Sequence, residues 1–489
     1  MKFLIDTNIF IPVEPTSPTD VEAGTPVVAE FIRLSHEARQ QVYVHPLVAA
    51  ELGHDANAPR RELRKRLLAK YSQLPDPPDI RQIDSLLGAS TLSSNDWVDR
   101  HLLAAVAGDA VDYLVTEDNG VHAAASRLRL QDRVLTAAEA VELVRSLFDR
   151  VPRPPPAVES AVAHCLDEND PIFQGLRADY HGFDDWLRKC KREHRQVWTV
   201  KLSQDQRLAA VCIVKHEQQP QPWMLGKTLK ICTFKVAEDF GGLRLGELLL
   251  KTVMEYAAAN GYETLFVTVF GKYVRLVDLL TSFGFEDVGQ ATQRGEMVLR
   301  KRLSYAPAER ANLDALAFHI RYGPLTTKLE STPAFIVPIQ SRYHALLFPE
   351  GEVQRDLFPN VTPFGNSIRK AYLCRSPITT IAAASHLFFY RSQDYKGLTA
   401  LGIVEDTLRS QDPHVVARFV GKRTVYRFEE ITRMCHKPVL AILFRQVRLI
   451  RPTIPLASLK ARRLLRAAPQ SIVSVAEEGK TWLQEQLGM

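Results

Sequence analysis

Short apolar runs alternate with helical patterns through the first part of the chain. The runs Phe3–Ile5, Val42–Val44 and Tyr113–Val115 are brief and apolar, and the stretches between them have helical patterns. Brief apolar runs of this kind, alternating with helices, are typical of a parallel sheet whose two faces are both covered. The pattern therefore predicts a parallel α/β domain at residues 1–149.

A second series of strands and helices is predicted at residues 161–303. Helical patterns occur within Phe173–Lys191, and a glycine-containing loop and a helix follow the third strand. The predicted strands are Val197–Leu202, Leu208–Val214, Leu229–Val236 and Tyr262–Val269, with the turn Ser203–Gln206 between the first two. Between the two series, Arg150–Ser160 carries four prolines. Proline favours an extended spacer, so a linker is predicted at residues 150–160.

The remainder is predicted as a helical connector at 304–330, a domain of short strands and helices at 331–470, and a C-terminal helix at 471–489. The segment Phe364–Ser376 reads as a helix that displays Arg369, Lys370 and Arg375. The predicted strands that follow are His386–Ser392, Leu398–Asp406, Lys422–Ile431 and Val439–Ile450.

Composition adds a charge asymmetry. The chain has 489 residues, 46% hydrophobic and 24% charged, and a net charge of +6. From residue 304 onward there are 25 Lys and Arg against 15 Asp and Glu, whereas the preceding residues have a net charge of −4. A basic C-terminal third favours a polyanionic partner, although a solvated basic surface gives the same pattern.

Several other classes of protein are not indicated. No run approaches the roughly 20 apolar residues that span a bilayer. No signal peptide is visible at the N-terminus. The six cysteines are far apart and form no CxxC pair, so we expect reduced core residues. A cytoplasmic protein that does not associate with membranes is therefore expected.

Four carboxylates fall where a parallel sheet can bring them together. Asp6 and Asp118 each follow a predicted strand directly, and Glu51 and Asp99 lie on predicted helices. Asp96, three residues before Asp99, shares its helical face and could replace or assist it. Such acids are often helix caps. Like charges in one pocket, however, are tolerable only with a cation, and hard oxygen ligands favour Mg²⁺ or Mn²⁺.

This ordered set resembles the PIN-domain nuclease family, which has "DTN" after the first strand, "AEL" on a helix, an Asp opening "DRHLLAA", and "TED" after a later strand. The resemblance covers about 140 residues, and all four acidic positions match. It implies that Asp6, Glu51, Asp99 and Asp118 hold the metal ions, which orient a water for attack on a phosphodiester.

The middle segment resembles the GNAT acetyltransferase family, whose coenzyme A loop has the pattern Gln/Arg-x-x-Gly-x-Gly/Ala. The aligned positions are Gly241, Arg244 and Gly246, and "FGF" at Phe283–Phe285 matches a later strand start. The order of strand, glycine loop and helix leaves backbone N–H groups where a pyrophosphate can bind. Acetyl-CoA binding is therefore expected at the loop residues, which are Gly241, Gly242, Leu243, Arg244, Leu245 and Gly246. Leu280 stands where the family often has a catalytic tyrosine, and the strand Leu229–Val236 carries no glutamate. A GNAT-shaped sensing module is the alternative.

The C-terminal domain resembles the PUA-like superfamily, especially its ASCH and EVE branches, through its short strands, a basic helix and "GIVE". The resemblance implies a β-barrel with helices that recognises RNA. The residues expected to contact RNA are Arg369, Lys370, Arg391, Lys422 and Arg423.

The combined prediction is a multidomain α/β protein that acts as a metal-dependent ribonuclease of toxin or defence type. The expected cofactors are Mg²⁺ or Mn²⁺ and acetyl-CoA. The expected partners are RNA, with tRNA as a candidate, and an antitoxin or regulatory protein. The first alternative is an acetyltransferase that acts on RNA or aminoacyl-tRNA and uses the N-terminal domain as a binding scaffold. The second alternative is a non-catalytic RNA-binding sensor.

Overall fold

A computed structural model shows a multidomain α/β architecture whose residues group into two compact units. The first unit comprises Met1–Asp149 together with Glu238–Gly242 and Lys272–Asp278, and the second unit comprises the rest. The structure describes residues 1–17, 20–22, 24–92, 94–148, 157–202, 207–219, 221–330, 332–349 and 367–488. The turn predicted at Ser203–Gln206 and most of the predicted proline linker lie outside these residues.

The sheet of the first unit is parallel throughout, as the apolar runs predict. Its strand order is β3-β2-β1-β4-β5, which places β1 at the centre. The strands are β1 Lys2–Ile5, β2 Gln41–Val44, β3 Ser72–Gln73, β4 Tyr113–Val115 and β5 Val134–Leu135. Phe3, Leu4 and Ile5 are fully buried because helices cover both faces of the sheet.

Eight helices connect and cover these strands within the described part of the first unit. They are α1 Thr7–Val13, α2 Thr25–Glu37, α3 Pro46–Gly53, α4 Ala58–Leu68, α5 Arg81–Leu87, α6 Asn95–Ala107, α7 Asn119–Arg127 and α8 Ala137–Phe148. Side chains that follow strands start several of them: Asp6 caps α1, His45 caps α3 and Asp118 caps α7. A polar side chain at this position satisfies N–H groups of the first turn.

The first sheet of the second unit is mixed, with the order β11-β12-β10-β9-β8-β7-β6. The strands are β6 Glu159–Val162, β7 Gln196–Lys201, β8 Leu208–Glu217, β9 Thr228–Val236, β10 Thr264–Val269, β11 Glu286–Ala291 and β12 Met297–Arg302. The associated helices are α9 Gln174–Asp179, α10 Phe183–Arg192, α11 Leu245–Ala259, α12 Val274–Ser282, α13 Pro307–Asn312 and α14 Ala315–Tyr322. The first part of α12, up to Asp278, is grouped with the first unit. Strand β6 begins at Glu159, so the last residues of the predicted linker already belong to this sheet.

The second sheet of this unit has the order β14-β17-β16-β15-β13-β18. Its strands are β13 Ala334–Ile339, β14 Arg369–Cys374, β15 His386–Arg391, β16 Gly397–Ser410, β17 Val439–Pro455 and β18 Val473–Ser474. The helices are α15 Ser341–Leu347, α16 Pro413–Val420, α17 Phe428–Met434, α18 Leu456–Ala461 and α19 Glu477–Leu487. In the described residues the sheet is open, with β14 and β18 at its edges, so the predicted closed barrel is not seen. A strand pattern specifies neither the tilt nor the register shift that closure requires.

Two local predictions in this part are wrong. The described part of Phe364–Ser376 forms strand β14 and not a helix, because β14 pairs along its whole length with β17. A tertiary partner of this kind outweighs local helix propensity. The predicted strand Lys422–Ile431 instead starts helix α17, where the Glu430 side chain accepts a hydrogen bond from the backbone N–H of Arg427 at 3.0 Å. That contact is half of a capping box.

Candidate functional site

The four predicted acids of the first unit approach one another. Asp6 lies directly after the central strand β1, Asp118 lies after β4, Glu51 is on α3 and Asp99 is on α6. The charges of Glu51 and Asp118 act on Asp6, and the charges of Asp6, Asp118 and Glu51 all act on Asp99. The carboxyl ends of neighbouring parallel strands meet at one edge of the sheet, and this edge brings the four together.

Two of these carboxyl groups hold protons more tightly than usual. Burial raises the pKa of Asp6 to about 6, although hydrogen bonds from Thr116 and Thr7 oppose the shift. Burial, followed by the charges of Asp6 and other acids, raises the pKa of Asp99 to about 7. The group therefore carries less negative charge at neutral pH than four free carboxylates would.

Asp96 occupies a different environment from Asp99. Its side chain is 63% exposed and forms an ion pair with Arg100 at 3.0 Å on the same helix. Asp99, by contrast, is partly buried and has carboxylates as its charged neighbours. The structure thus places Asp99 within the acidic group and Asp96 at its periphery.

Hydrogen bonds already occupy much of this acidic group. Asp6 accepts from the Thr7 backbone N–H and from the Thr116 hydroxyl, both at 2.6 Å. Asp118 accepts from the Gly120 N–H at 2.6 Å, and Glu51 accepts from the Thr7 hydroxyl. Across the residues that the structure describes, no three His, Cys, Asp or Glu side chains are close enough together to hold a metal ion. The residue types suit Mg²⁺ or Mn²⁺, but the predicted metal site is not preformed.

In the second unit, the parallel strands β9 and β10 separate toward their carboxyl ends. Their pairing extends from Thr228 and Thr264 to Ile231 and Val267. Beyond that point β9 continues to Val236 alongside β8, and β10 continues alongside β12. A register shift against β8 makes Cys232 an extra residue in β9 at the point of separation. A gap therefore opens between the two strands, and a bulge re-aims the backbone beside it.

Helix α11 starts on the loop that follows β9. Its N-cap residue is Arg244, which has a left-handed backbone with φ of +55°. This is the position where the resembling pattern has glycine, so the backbone conformation is kept although the residue differs. The conformation costs a non-glycine residue roughly 1–2 kcal/mol. The first N–H groups of an α-helix have no partner within the helix, and such groups can bind an anion.

The remaining loop residues have packing roles. Within the first unit, a Cβ at Gly242 would lie 2.9 Å from the Ala138 carbonyl oxygen, and Gly242 also has φ of +82°. In the second unit, a Cβ at Gly246 would lie 3.0 Å from Leu279 Cδ2. Gly241 falls in the first unit, whereas Leu243 and Leu245 are buried in the second. The predicted cofactor-binding role of these residues stays a prediction.

The Arg244 side chain is engaged by the protein. It forms an ion pair with Glu247, which is 7% exposed. Glu247 also accepts hydrogen bonds from the Ser367 hydroxyl at 2.8 Å and the Ile368 N–H at 2.9 Å. The start of α11 is thereby fixed to the residues at the start of β14, within the same unit.

The structure adds a pair of polar side chains that the sequence pattern did not indicate. Leu280 is 1% exposed and apolar, so it offers no acid. The Tyr180 hydroxyl, however, donates a hydrogen bond to Glu296 at 3.2 Å across 116 residues of sequence. Tyr180 also lies against Phe270, which directly follows β10, with ring centroids 5.3 Å apart. The sequence analysis predicts no strand after Glu296, so no pattern singled out this glutamate or its tyrosine partner.

Most of the predicted RNA-binding residues are not on the surface. Lys370 is fully buried, Arg391 is 6% exposed and Arg423 is 5% exposed, whereas Arg369 and Lys422 are partly exposed. Arg391 pairs with Asp394 at 2.5 Å and lies close to the buried His344. The expectation that all five residues form an RNA-binding surface is therefore wrong for these three, because a charge pattern does not reveal which charges are paired inside the fold.

The buried carboxylate of Glu405 forms ion pairs with three arginines. Glu405 contacts Arg445 at 2.7 Å, Arg369 at 2.9 Å and Arg423 at 3.7 Å. Burial alone would raise the pKa of Glu405, but the three guanidinium groups outweigh it and lower the pKa to about 2. Through Arg369 and Arg445, this carboxylate on β16 links the start of β14 to the middle of β17.

Comparison with known sequences identifies one part of the chain. Residues 162–285 match the family described as acetyltransferase (GNAT) family. Residues 162–285 therefore form a GNAT-type acetyltransferase domain, in agreement with the strand, loop and helix order. No significant match to a curated protein was found.

Several solved structures match parts of the chain at low similarity. The ASCH protein from Zymomonas mobilis is 16% identical over 31% of this chain and 94% of that chain, with a TM-score of 0.25. The IAA acetyltransferase from Bacillus cereus ATCC 14579 is 14% identical over 30% of this chain and 96% of that chain, with a TM-score of 0.23. A GNAT-family acetyltransferase from Staphylococcus aureus Mu50 is 10% identical over 30% of this chain and 100% of that chain, with a TM-score of 0.21. These similarities carry no argument about function, and none of the comparisons supports the predicted PIN nuclease domain.

Proposed function

We propose that the protein transfers an acetyl group from acetyl-CoA to an acceptor amine. The observation that carries the proposal is the gap between β9 and β10 beside the start of α11, within the segment that matches the acetyltransferase family. When bound, acetyl-CoA supplies an activated thioester: the amine nitrogen bonds to the acetyl carbon, the C–S bond breaks, and the nitrogen's proton passes to the thiolate.

Two features of the chain support binding of that substrate. The N–H groups at the start of α11 and the helix dipole suit a pyrophosphate without requiring particular side chains. The stretch of β9 after Ile231 does not pair with β10, which leaves its peptide groups on that side available to an extended ligand. Binding by backbone groups explains how the loop can lack most of the family's usual residues.

Calorimetry of the full chain with acetyl-CoA tests the binding step, and chromatographic detection of released CoA tests transfer. Gly246→Leu should abolish binding, because its side chain would occupy space beside Leu279 at the helix start. Gly24→Leu is the matched control, since nothing lies within 4 Å of a Cβ there. Far-UV circular dichroism would establish that both variants fold. Absence of acetyl-CoA binding by the parent chain would overturn the proposal.

A second candidate function is metal-dependent cleavage of RNA by the first unit. The specific observation in its favour is the convergence of four acids, with two pKa values raised by burial and by their neighbours. A divalent cation would relieve that repulsion and orient a water. Cleavage of total RNA with Mn²⁺, stopped by EDTA and lost in Asp6→Asn but kept in Asp96→Asn, would support it. Equal cleavage by Asp6→Asn and the parent would contradict it.

RNA also remains the proposed partner of the C-terminal part, with an antitoxin or regulatory protein as a further proposal. The support is the net charge of the residues from 304 onward, with exposed cations such as Arg375, Arg451 and Arg462 in place of the buried ones. Charge reversal at these positions should flatten the salt dependence of RNA affinity, by roughly 0.7–0.9 in the log–log slope for each lost phosphate contact.

In the described part of the chain, no helix combines the length and apolarity needed to cross a membrane. We propose a cytoplasmic location.

A further inference from the structure

Glu247 places a buried negative charge in the first turn of α11. It is the third residue of the helix, and its Oε1 pairs with the guanidinium of Arg244 at the N-cap position. A carboxylate in the first turn interacts favourably with the helix dipole, and it thereby offsets the attraction of that helix end for a second anion. Glu247 therefore opposes a pyrophosphate at the end of the helix where the proposed function requires one.

The second oxygen of Glu247 is held by a different part of the chain. Oε2 accepts hydrogen bonds from the Ser367 hydroxyl at 2.8 Å, the Ile368 N–H at 2.9 Å and the Arg369 N–H at 3.4 Å. These donors lie at or just before the start of β14, and Ser367 and Ile368 are each 1% exposed. Hydrogen bonds of this kind favour the ionised form of a carboxylate. Glu247 would therefore remain satisfied if Arg244 moved to another partner, and it would not become an uncompensated buried charge.

Arg244 is suited to an exchange of partners. It lies in the loop that precedes α11, where the pyrophosphate is proposed to bind. A guanidinium binds phosphate oxygens with the same paired hydrogen bonds that it forms with a carboxylate. Its side chain can change partner through its own torsion angles while the backbone of the helix start stays in place. A pyrophosphate diester carries two negative charges, whereas Glu247 carries one, so the exchange is favoured when the coenzyme is present.

The contacts of Glu247 continue into the C-terminal sheet. Arg369, whose N–H donates to Glu247, also pairs through its side chain with Glu405 on β16 at 2.9 Å. Arg445 pairs with the same carboxylate at 2.7 Å and lies opposite Arg369 in the pairing of β17 with β14. Because these ion pairs tie the start of β14 to two further strands, the C-terminal sheet determines how firmly Glu247 is held.

We propose that Arg244 and Glu247 form a latch that regulates acetyl-CoA binding, and that the start of β14 sets its strength. The inference rests on the proposed binding of acetyl-CoA, and it names a means of regulating that site. In the closed latch, Arg244 pairs with Glu247, as in the structure. In the open latch, Arg244 pairs with the pyrophosphate, and Glu247 keeps its three donors at the start of β14. A change in the C-terminal sheet that weakens those three hydrogen bonds makes Glu247 hold Arg244 more tightly and lowers the affinity for acetyl-CoA.

Calorimetry of the full chain with acetyl-CoA tests the latch through changes of opposite sign. Arg244→Ala should raise the Kd about tenfold, because a charge-assisted phosphate contact is lost, and Arg244→Lys should recover part of that loss. Glu247→Gln should lower the Kd about threefold, because glutamine still accepts from Ser367 and the backbone but no longer holds the guanidinium. Ser367→Ala should raise the Kd about threefold, because Glu247 then depends more on Arg244.

A double-mutant cycle separates the latch from simple charge repulsion. In the Arg244→Ala background, Glu247→Gln and Ser367→Ala should each change the Kd by less than about twofold, because the residue on which they act is gone. Asp185→Asn is the matched control, since it removes a carboxylate from an exposed pair with Arg188 on α10, also three residues apart. It should leave the Kd unchanged. Far-UV circular dichroism would establish that each variant folds.

The outcomes separate this inference from the proposed function. No acetyl-CoA binding by the parent chain would overturn both. If the parent chain binds acetyl-CoA, a Kd for Glu247→Gln equal to or above the parent value would overturn the inference alone. An equal gain from Glu247→Gln with and without Arg244 would also overturn it, since that result indicates repulsion without a latch. If Glu247→Gln does not fold, the decision falls to Ser367→Ala, and an effect that persists in Arg244→Ala would overturn the inference.

Discussion

Replacing Asp99 by asparagine should stabilise the first unit in metal-free solution. Burial and the charges of Asp6, Asp118 and Glu51 raise the pKa of this carboxyl from 3.8 to about 7. At 1.36 kcal/mol per pH unit, such a shift corresponds to roughly 4 kcal/mol of destabilisation of the charged form. Because the side chain is partly exposed, solvent screening reduces this to about 2 kcal/mol. Asparagine has nearly the same shape and carries no charge, so the variant should gain about that amount at pH 8.

The gain should depend on pH with a defined sign. The folded-state pKa of Asp99 is higher than the unfolded value, so the native state binds the extra proton between about pH 4 and pH 7. The penalty is therefore fully present above pH 7 and is relieved as the pH falls toward 4. The difference in free energy of unfolding between Asp99→Asn and the parent should accordingly shrink from about 2 kcal/mol at pH 8 to near zero at pH 4.

Hydrogen exchange measured by mass spectrometry on peptides from α6 would follow this unit within the full chain. Measurements would be made in EDTA at pH 8 and, with correction for intrinsic exchange rates, at lower pH. Asp96→Asn is the matched control, because Asp96 is 63% exposed and pairs with Arg100 on the same helix. It should show no gain at pH 8. If Asp99→Asn exchanges as fast as the parent or faster at pH 8, the reasoning about charge repulsion in this group is refuted.

The remaining predictions concern metal binding and two buried charges. Millimolar Mn²⁺ should slow hydrogen exchange in α6 more in the parent chain than in Asp99→Asn, because a cation relieves the charge repulsion only where the charge is present. Equal slowing in the two proteins would count against a shared metal ion. Lys301 donates hydrogen bonds to the carbonyl oxygens of Phe283 at 2.8 Å, Arg321 at 3.0 Å and Ile320 at 3.1 Å. Because Lys301→Met would leave these carbonyl oxygens without their donor, it should lower the free energy of unfolding of the second unit by about 2–4 kcal/mol in denaturant titrations. Glu405→Gln should cost about 3–5 kcal/mol at pH 7, since it leaves the buried arginines uncompensated. The pKa of Glu405 is lowered to about 2, so the parent should lose stability as the pH falls from about 4.5 to 2, and the variant should lack that loss.

The pattern of hydrophobic and polar residues was sufficient to predict the structure of those short segments whose conformation depends mainly on their own residues. The run Phe3–Ile5 is apolar on both faces, and only a strand covered on both sides buries such a run. The positions of Asp6 and Asp118 after their strands followed in the same way, because the carboxyl ends of parallel strands share one edge. The order of strand, glycine loop and helix around α11 was likewise readable, since it needs only a change of periodicity and a turn.

Only the tertiary structure decided which charges are paired and which side chains meet. Lys370 and Arg423 looked like surface cations in a basic segment, yet both are buried in the fold, and the predicted strand after Lys422 became helix α17. Tyr180 and Glu296 are 116 residues apart, and only the pairing of β10 with β12 and the placement of α9 bring them together. Periodicity reports the conformation of a segment and the face that it buries. Ion pairs, desolvated carboxylates and contacts across a sheet depend on which segments pack together, and that choice is made by the whole chain.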